Sequence, residues 1–481
     1  MEGYRERVVS ALAWSISGEF VVQGMNGLFV IVLARLLPPS DFGLVAMVVV
    51  FTQFLLLSID LGFEEALVQR REVSEIHYAS VFWTMVVTGT LVSAAFLRAG
   101  PALSAFYGAE GLSTLVPILA PIFLFRALAV VPRAMLVKRL AFRTKLALRG
   151  LAVAIGGSTA VALALRDFGA ASLAVQILVT TTIDAVLVSA ATAWLPPLAF
   201  RLSALRDLLH ISAYRPATRS LTYWAHNLDQ LLIGRFQGAT SAGIYGQAFS
   251  LARLPVQFVS RATLDAMFPS LSLIQGDKQR VRAVFLRLTA AVALATFPMC
   301  LGLFAVAETL VVGVLGPRWH EAVPLVRILS IAAVFTSVGI LTNSLFLAEG
   351  RADVQFRLLL AQRVTTMAAV VFALRWGTVG VAFSHLACAA LFSVPAFYVA
   401  GKLVDLHARD VAARLGPVLL ASVGMAALVL GAHLLARSVL PVLPLLGIEI
   451  ALGVSVYAAA LRLLRVDAFR DVMRLARLQS S

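Results

Sequence analysis

The feature that most constrains this chain is a succession of apolar runs separated by short polar breaks. A helix that crosses the hydrocarbon core of a bilayer needs about 20 mostly apolar residues. Hydrophobic residues make up 60% of the 481 positions and charged residues only 14%, a composition unlike that of soluble domains. The sequence therefore predicts an all-α, polytopic membrane protein with no sizeable soluble domain.

The runs define fourteen predicted spans: 11–36, 42–61, 79–97, 113–132, 149–165, 169–194, 219–236, 239–268, 286–306, 321–347, 357–375, 377–400, 415–436 and 440–461. Residues 1–7 are basic and precede the first run, as they would in a signal peptide. That run is too long for a signal peptide and contains Glu19. We interpret it as a retained first span.

The positions of the arginines predict the orientation. Each connection after an odd-numbered span has one basic residue or an arginine at the end of the span, whereas most of the other Lys and Arg lie at the N-terminus, after even-numbered spans and in the tail. By the positive-inside rule both termini are then cytoplasmic. The net charge of +15 follows from topology, so we expect no nucleic-acid partner.

Three shorter segments are not predicted to cross the membrane. Leu202, Leu205, Leu208 and Leu209 form one apolar stripe, and Val466, Phe469 and Met473 form another in the basic tail. Both stripes predict helices that lie on the inner membrane surface, in contact with membrane lipids. The run "TLVVGVLGPRW" after the ninth span is too short to cross and predicts a re-entrant or interfacial turn.

An internal repeat organises the chain. At an offset of 200 residues, "ARLLPPSDFGLVAM" aligns with "GRFQGATSAGIYGQ", so that Arg35 meets Arg235 and Gly43 meets Gly243. Two copies of six spans that both start inside imply parallel repeats about an axis along the membrane normal. We therefore predict an N-lobe (1–200), a C-lobe (201–400) with a cleft between them, and an additional region (401–481) with spans thirteen and fourteen and the tail.

Polar side chains within the spans are the candidate site residues. The first span has a polar face of Glu19, Gln23 and Asn26, and the seventh has Arg219, Tyr223 and His226 with Asn227, Asp229 and Gln230 adjoining. Further ionisable residues lie in spans four, six, eight and ten: Arg126, Asp184, Arg253, Arg261 and Arg327. Such residues are costly at bilayer depth and commonly line a water-filled substrate route.

Two interpretations of these residues stay open. Asn, Gln and His within spans often form hydrogen bonds between helices, and Asp184, Glu19 and Asp229 are possible internal partners for Arg126, Arg253 and Arg261. In the other interpretation the arginines bind a substrate anion. We also predict that Glu19 and Arg219 approach each other in at least one state.

Enzymatic chemistry has no support in the motifs. The sequence has no GxxxxGK[ST] loop, no HExxH pair and no recognisable Ser or Cys nucleophile motif. Cys300 and Cys388 both lie in apolar runs, which makes a disulfide or a cysteine metal site improbable. We expect a non-enzyme without cofactor or metal.

Several motifs together resemble a known family. "NLDQLLIGRF", "GIYGQAFSLARLPVQF", "MFPSLSLIQGDKQRVR" and "DLGFEEALVQRREVSEIHYASVFW" resemble the Wzx-like polysaccharide flippases, especially their colanic-acid and teichuronic-acid exporter-like branch. The resemblance implies a bacterial inner-membrane carrier that moves an undecaprenyl-pyrophosphate-linked oligosaccharide by alternating access for exopolysaccharide, capsule or O-antigen biosynthesis. It also implies a polymerase and glycosyltransferase complex as a partner.

Two rival functions remain at this point. A cation-coupled multidrug extruder of the same architecture would have acidic residues rather than arginines in its cavity. A non-transporting scaffold of a polysaccharide synthase complex would have no need of paired charges within its spans.

If the chain is a flippase, Arg126, Arg253, Arg261 and Arg327 are the residues expected to bind the pyrophosphate of the carrier lipid.

Overall fold

The computed structural model describes residues 2–60, 62–70, 72–212 and 215–464. Within these ranges it does not describe the side chains of residues 2–17, 58, 60, 209–212, 215–219, 221, 222, 225, 260–266 and 268–270. All regular secondary structure in the described ranges is helical, as the apolar composition predicts. The predicted fold class, an all-α polytopic membrane protein, is confirmed.

The chain divides into two structural units, Met1–Gly243 and Ile244–Ser481. The first unit contains α1 (Glu2–Leu36), α2 (Pro39–Asp60), α3 (Phe63–Gln69), α4 (Glu75–Tyr107), α5 (Leu112–Leu119), α6 (Ile122–Lys138), α7 (Phe142–Ala164), α8 (Ala170–Thr192) and α9 (Leu202–Ser212). α7 packs against α1 and α8, while α6 packs against α4 and α8. The core of this unit therefore lies around α6, α7 and α8.

The second unit contains α11 (Lys278–Ala305), α12 (Ala307–Leu310), α13 (Ala322–Ala348), α14 (Ala352–Ala373), α15 (Gly377–Val404), α16 (Ala408–Ala436) and α17 (Val442–Leu463). α11 packs against α13 and α16, and α13 also packs against α15. α17 packs on α16. The two helices that were predicted to be additions to the repeat are thus joined to the core of this unit through α11.

The helix α10 (Arg215–Ser272) runs from the first unit into the second. It is broken at Gly238, whose φ of 84° and ψ of 179° are not helical. Only glycine adopts such a conformation without strain. The break divides α10 into arms at 215–237 and 239–272, which correspond to predicted spans seven and eight. The boundary between the two units lies in the second arm, whereas the predicted lobes 1–200 and 201–400 are defined by the repeat and stay a prediction.

The spans agree with the helices. Eleven stretches of the described residues are long and apolar enough to cross a membrane. One of them, Ala352–Val404, contains both α14 and α15, and each arm of α10 exceeds the about 20 residues that a crossing needs. Fourteen crossing-length segments result, in line with the predicted number.

The segments predicted not to cross are short helices. "TLVVGVLGPRW" forms the end of α12, a π-helical turn (Val311–Leu315) and a 3-10 turn (Pro317–Trp319). α9 is the predicted amphipathic helix, but Leu205 and Leu208 are buried against protein, because α9 packs on α3 and α4. The tail stripe of Val466, Phe469 and Met473 lies outside the described residues.

Candidate functional site

Two arginines of the second unit lie close enough for their charges to interact. Arg253 lies on the second arm of α10 and Arg363 lies on α14, where each side chain is half-buried. The positive charge of Arg253 acts on the guanidinium of Arg363. Arg363 is about 16 Å along α14 from Ala352, at 1.5 Å per residue, which is about half the thickness of the bilayer core. Two cations therefore lie at mid-membrane depth.

Aromatic rings hold one of these guanidiniums in place. The Arg253 Cζ lies 5.2 Å from the centroid of the Phe249 ring, within the range of a cation–π interaction. Phe249 stacks on Tyr245 with centroids 5.7 Å apart and lies 5.6 Å from the His385 ring. The position of Arg253 is thus set by packing.

This arrangement suits an anion. Like charges repel in a medium of low dielectric constant, so a bound anion would stabilise the pair. A guanidinium presents a planar set of donors that matches a phosphate. Arg363 was not singled out from the sequence, although any arginine within a predicted span is a signal of function.

Arg261 lies on the same arm of α10 as Arg253, about 12 Å further along the helix at 1.5 Å per residue. Its side chain is outside the described part of the structure. The same holds for Arg219 on the first arm, so the predicted approach of Glu19 and Arg219 stays a prediction.

In the first unit Asp184 is paired with Arg133. The two buried residues, 8% and 7% exposed, form an ion pair between α8 and α6. Arg133 directly follows the predicted span 113–132 and lies within α6, which continues through Pro132 to Lys138. Arg126 lies on α6 at mid-membrane depth and is half-buried.

The polar face predicted on α1 lies on the surface of the first unit. Gln23 is exposed, while Glu19 and Asn26 are partly exposed. The Gln23 amide donates to Glu19 over 3.4 Å, and the Asn26 amide donates to the Val22 carbonyl over 3.1 Å. The face is therefore held together by local hydrogen bonds.

The polar stretch "NLDQLLIGR" (227–235) contains one side chain, that of Gln230, which forms a hydrogen bond across the break in α10. Gln230 Nε2 donates to the carbonyl of Ala242 over 2.9 Å, so its amide bridges the two sides of Gly238. Asp229 is 5% exposed and accepts a hydrogen bond from the backbone N–H of Gln230 at 2.8 Å. Asn227 donates to the carbonyl of Tyr223 one turn earlier, over 2.8 Å.

Arg235, at the end of this stretch, contacts aromatic rings. Its Cζ lies 5.6 Å from the centroid of Phe106 and 5.8 Å from that of Phe236. Phe106 belongs to α4, so this contact ties the first arm of α10 to that helix.

Arg327 has a partner within the second unit. Its Nη2 lies 3.3 Å from Glu308 Oε2, and Glu308 is itself close to His433. His433 and Glu449 are buried at 3% and 0% exposure. The sequence analysis named Arg327 but none of the other three members of this cluster, which are Glu308, His433 and Glu449.

Long apolar helices, eleven of them long and apolar enough to cross a membrane within the described residues, define a multi-pass membrane protein. The fold is similar to that of the lipid II flippase MurJ in an inward closed conformation, with a TM-score of 0.69 at 13% identity, covering 96% of this chain and 100% of that one. The chain belongs to the polysaccharide biosynthesis protein family, which it matches over residues 32–324. This membership confirms the family resemblance found in the sequence.

Two relatives with assigned names are similar over much of the chain. The teichuronic acid biosynthesis protein TuaB of Bacillus subtilis (strain 168) is 30% identical over 308 residues, which are 63% of this chain and 64% of TuaB. The succinoglycan biosynthesis transport protein ExoT of Rhizobium meliloti (strain 1021) is 27% identical over 372 residues, 76% of this chain and 74% of ExoT. The chain thus spans just under two thirds of TuaB and about three quarters of ExoT.

Proposed function

We propose that this protein moves an undecaprenyl-pyrophosphate-linked oligosaccharide from the inner to the outer leaflet of the bacterial cytoplasmic membrane. Family membership and relatives that bear the names of glycan biosynthesis and transport proteins support this proposal. The observation that carries it is the proximity of Arg253 and Arg363 in the middle of apolar helices.

The reason is the energy of two like charges in a membrane. The positive charges of two neighbouring guanidiniums add, so together they attract an anion more strongly than either does alone. A diphosphate brings negative charge to both side chains at once, and each guanidinium binds a phosphate through a pair of hydrogen bonds. A cationic drug would be repelled at the same place, so the arginines favour the lipid-linked glycan over the multidrug alternative.

The other predicted residues have supporting parts in this proposal. Arg126 and Arg261 are proposed as further cations that bind the substrate, and Glu19, Gln23 and Asn26 as polar residues that contact it. Both termini lie in the cytoplasm, and the two predicted lobes alternate in exposing the route to each side. The transporter performs no covalent chemistry and works beside the polymerase and glycosyltransferases that use the glycan.

The test is export of surface glycan in a strain that lacks the transporter. Arg253→Ala and Arg363→Ala are expected to reduce export at least tenfold at equal protein level in the membrane, and Arg363→Lys to restore it only in part, since lysine keeps the charge but loses the planar fork. Arg357→Ala is the matched control, because Arg357 is an exposed arginine on the same helix. Full export by the double alanine variant would contradict the proposal.

A further inference from the structure

A second group of ionisable side chains lies at one end of the second unit. α11 and α16 end there, while α13 and α17 begin. Four packed elements contribute one residue each: Glu308 of α12, Arg327 of α13, His433 of α16 and Glu449 of α17. Residues 288–305 of α11 contain no charged side chain. This histidine–glutamate cluster is separate from the pair formed by Arg253 and Arg363.

The His433 ring lies between two carboxylates. Its Nδ1 is 2.9 Å from Glu449 Oε1, and its Nε2 is 3.6 Å from Glu308 Oε2. The second distance exceeds that of a hydrogen bond, and Nε2 is a buried atom without a hydrogen-bond partner. The other oxygen of Glu449 accepts a hydrogen bond from the hydroxyl of Thr309. The ring therefore has one satisfied nitrogen and one unsatisfied nitrogen that points toward an acid.

The charges in the cluster do not balance when the ring is neutral. Two carboxylates then face a single guanidinium, which leaves one negative charge. Glu449 is 0% exposed and the His433 side chain is 4% exposed, and an unbalanced charge at such depth is strongly unfavourable. One added proton makes the cluster neutral. It also turns both ring nitrogens into donors, one for each carboxylate.

The partly exposed members provide access for the proton. The side chains of Glu308 and Arg327 are 33% and 32% exposed, whereas His433 and Glu449 are buried. Glu308 is partly exposed and its Oε2 lies 3.6 Å from His433 Nε2, so a proton can reach the ring through its carboxylate. The described residues contain no group of three or more His, Cys, Asp or Glu side chains arranged to hold a metal ion. The chemistry fits a proton rather than a metal cation.

We propose that His433, Glu449 and Glu308 form a proton-binding site, in which an imidazolium bridges the two carboxylates. When the proton is bound, ion pairs from His433 to Glu449 and Glu308 hold α16 against α17 and α12. When the proton leaves, the buried carboxylate of Glu449 loses its positive partner and these contacts weaken.

The test is the ionisation of His433 in the purified full-length protein in lipid bilayers. Solid-state NMR of protein labelled with ¹⁵N-histidine distinguishes imidazolium from neutral imidazole, and the His433→Gln variant identifies the resonance. We expect an imidazolium in the wild type and a neutral ring in Glu449→Gln, because the variant removes the carboxylate that the ring contacts through Nδ1. His407 is the internal control, since its side chain is 77% exposed and its resonance should be unaffected by Glu449→Gln.

A neutral His433 ring in the wild type throughout the range from about pH 5 to pH 8 would overturn the proposal, and this outcome needs no variant to fold. A ring that stays charged in folded Glu449→Gln would also contradict it. Because the measurement requires no substrate, its result is independent of whether the protein exports a glycan.

Discussion

Gly43 and Gly243 pack against each other's helices in reciprocal contacts. A Cβ on Gly43 would lie 1.7 Å from the carbonyl oxygen of Ala239, and a Cβ on Gly243 would lie 2.0 Å from that of Pro39. Gly43 and Gly243 are related by the 200-residue offset of the repeat, and so are Pro39 and Ala239. The contact therefore joins the two segments that the offset aligns, while the repeat itself stays a prediction.

The first prediction concerns this glycine contact. Gly43→Ala places a methyl group where backbone atoms lie, so the helices must separate, at a cost of about 1–3 kcal/mol or more. Thermal unfolding in detergent, followed by tryptophan fluorescence, should show a clear fall in Tm. Gly27→Ala is the control, since nothing lies within 4 Å of its Cβ position. Equal Tm values for the two variants would show that the contact is absent.

The second prediction separates the two amides of the stretch "NLDQLLIGR". Gln230→Leu removes the hydrogen bond to Ala242, with an expected loss of about 0.5–1.5 kcal/mol in the free energy of unfolding. Asn227→Leu removes only a bond to the preceding turn and should cost less. Comparison of the two Tm values checks this. A larger fall in Tm for Asn227→Leu than for Gln230→Leu would contradict a stabilising role of the Gln230 hydrogen bond across the α10 break.

The third prediction concerns the ion pair of Arg133 and Asp184. Asp184→Asn leaves a buried guanidinium without its partner, and such a loss typically costs about 3–5 kcal/mol. Replacing both residues, with Arg133→Met and Asp184→Leu, should recover most of the stability because no charge remains buried. Asp353→Asn, which breaks the exposed pair with Arg351, should leave Tm nearly unchanged. If the double variant were less stable than Asp184→Asn, the pair would have a role beyond charge balance.

The fourth prediction concerns orientation in the membrane. With both termini in the cytoplasm, single cysteines at Ala109, Asp167 and Trp376 should react with an impermeant maleimide added to intact cells. Cysteines at Leu140, Asp277 and Gly350 should react only after the membrane is opened. The background replaces Cys300 and Cys388, which are both buried. A reversal of the pattern beyond any one position would remove a span from the predicted topology.

The helices were predictable from the sequence because the bilayer imposes a length on apolar runs. The non-crossing segment before α13 was also predictable, since Gly316 and Pro317 end a run that is too short. The course of α6 was not, because Pro132 suggests a break but is accommodated within the helix. Local sequence alone therefore ended the predicted span six residues before the end of the helix.

The partners of the buried charges depend on tertiary structure. Arg133 and Asp184 are 51 residues apart, and Thr309 and Glu449 are 140 residues apart, so no local pattern connects them. The signal that was available for Arg363 and Glu449 is an ionisable residue within an apolar run. Their neighbours could be identified only after the helices were packed.

The most direct measurement of the central claim is transbilayer movement of a fluorescent undecaprenyl-pyrophosphate-linked saccharide in vesicles containing the purified protein. Reduction of the fluorophore by an impermeant reagent reports the fraction of lipid in the outer leaflet. With wild-type protein and with Arg357→Ala, we predict that nearly all the fluorescence becomes accessible. With Arg253→Ala and Arg363→Ala combined, accessibility should remain at the level of protein-free vesicles. Equal movement in the wild type and the double variant, or none in the wild type, would contradict the account.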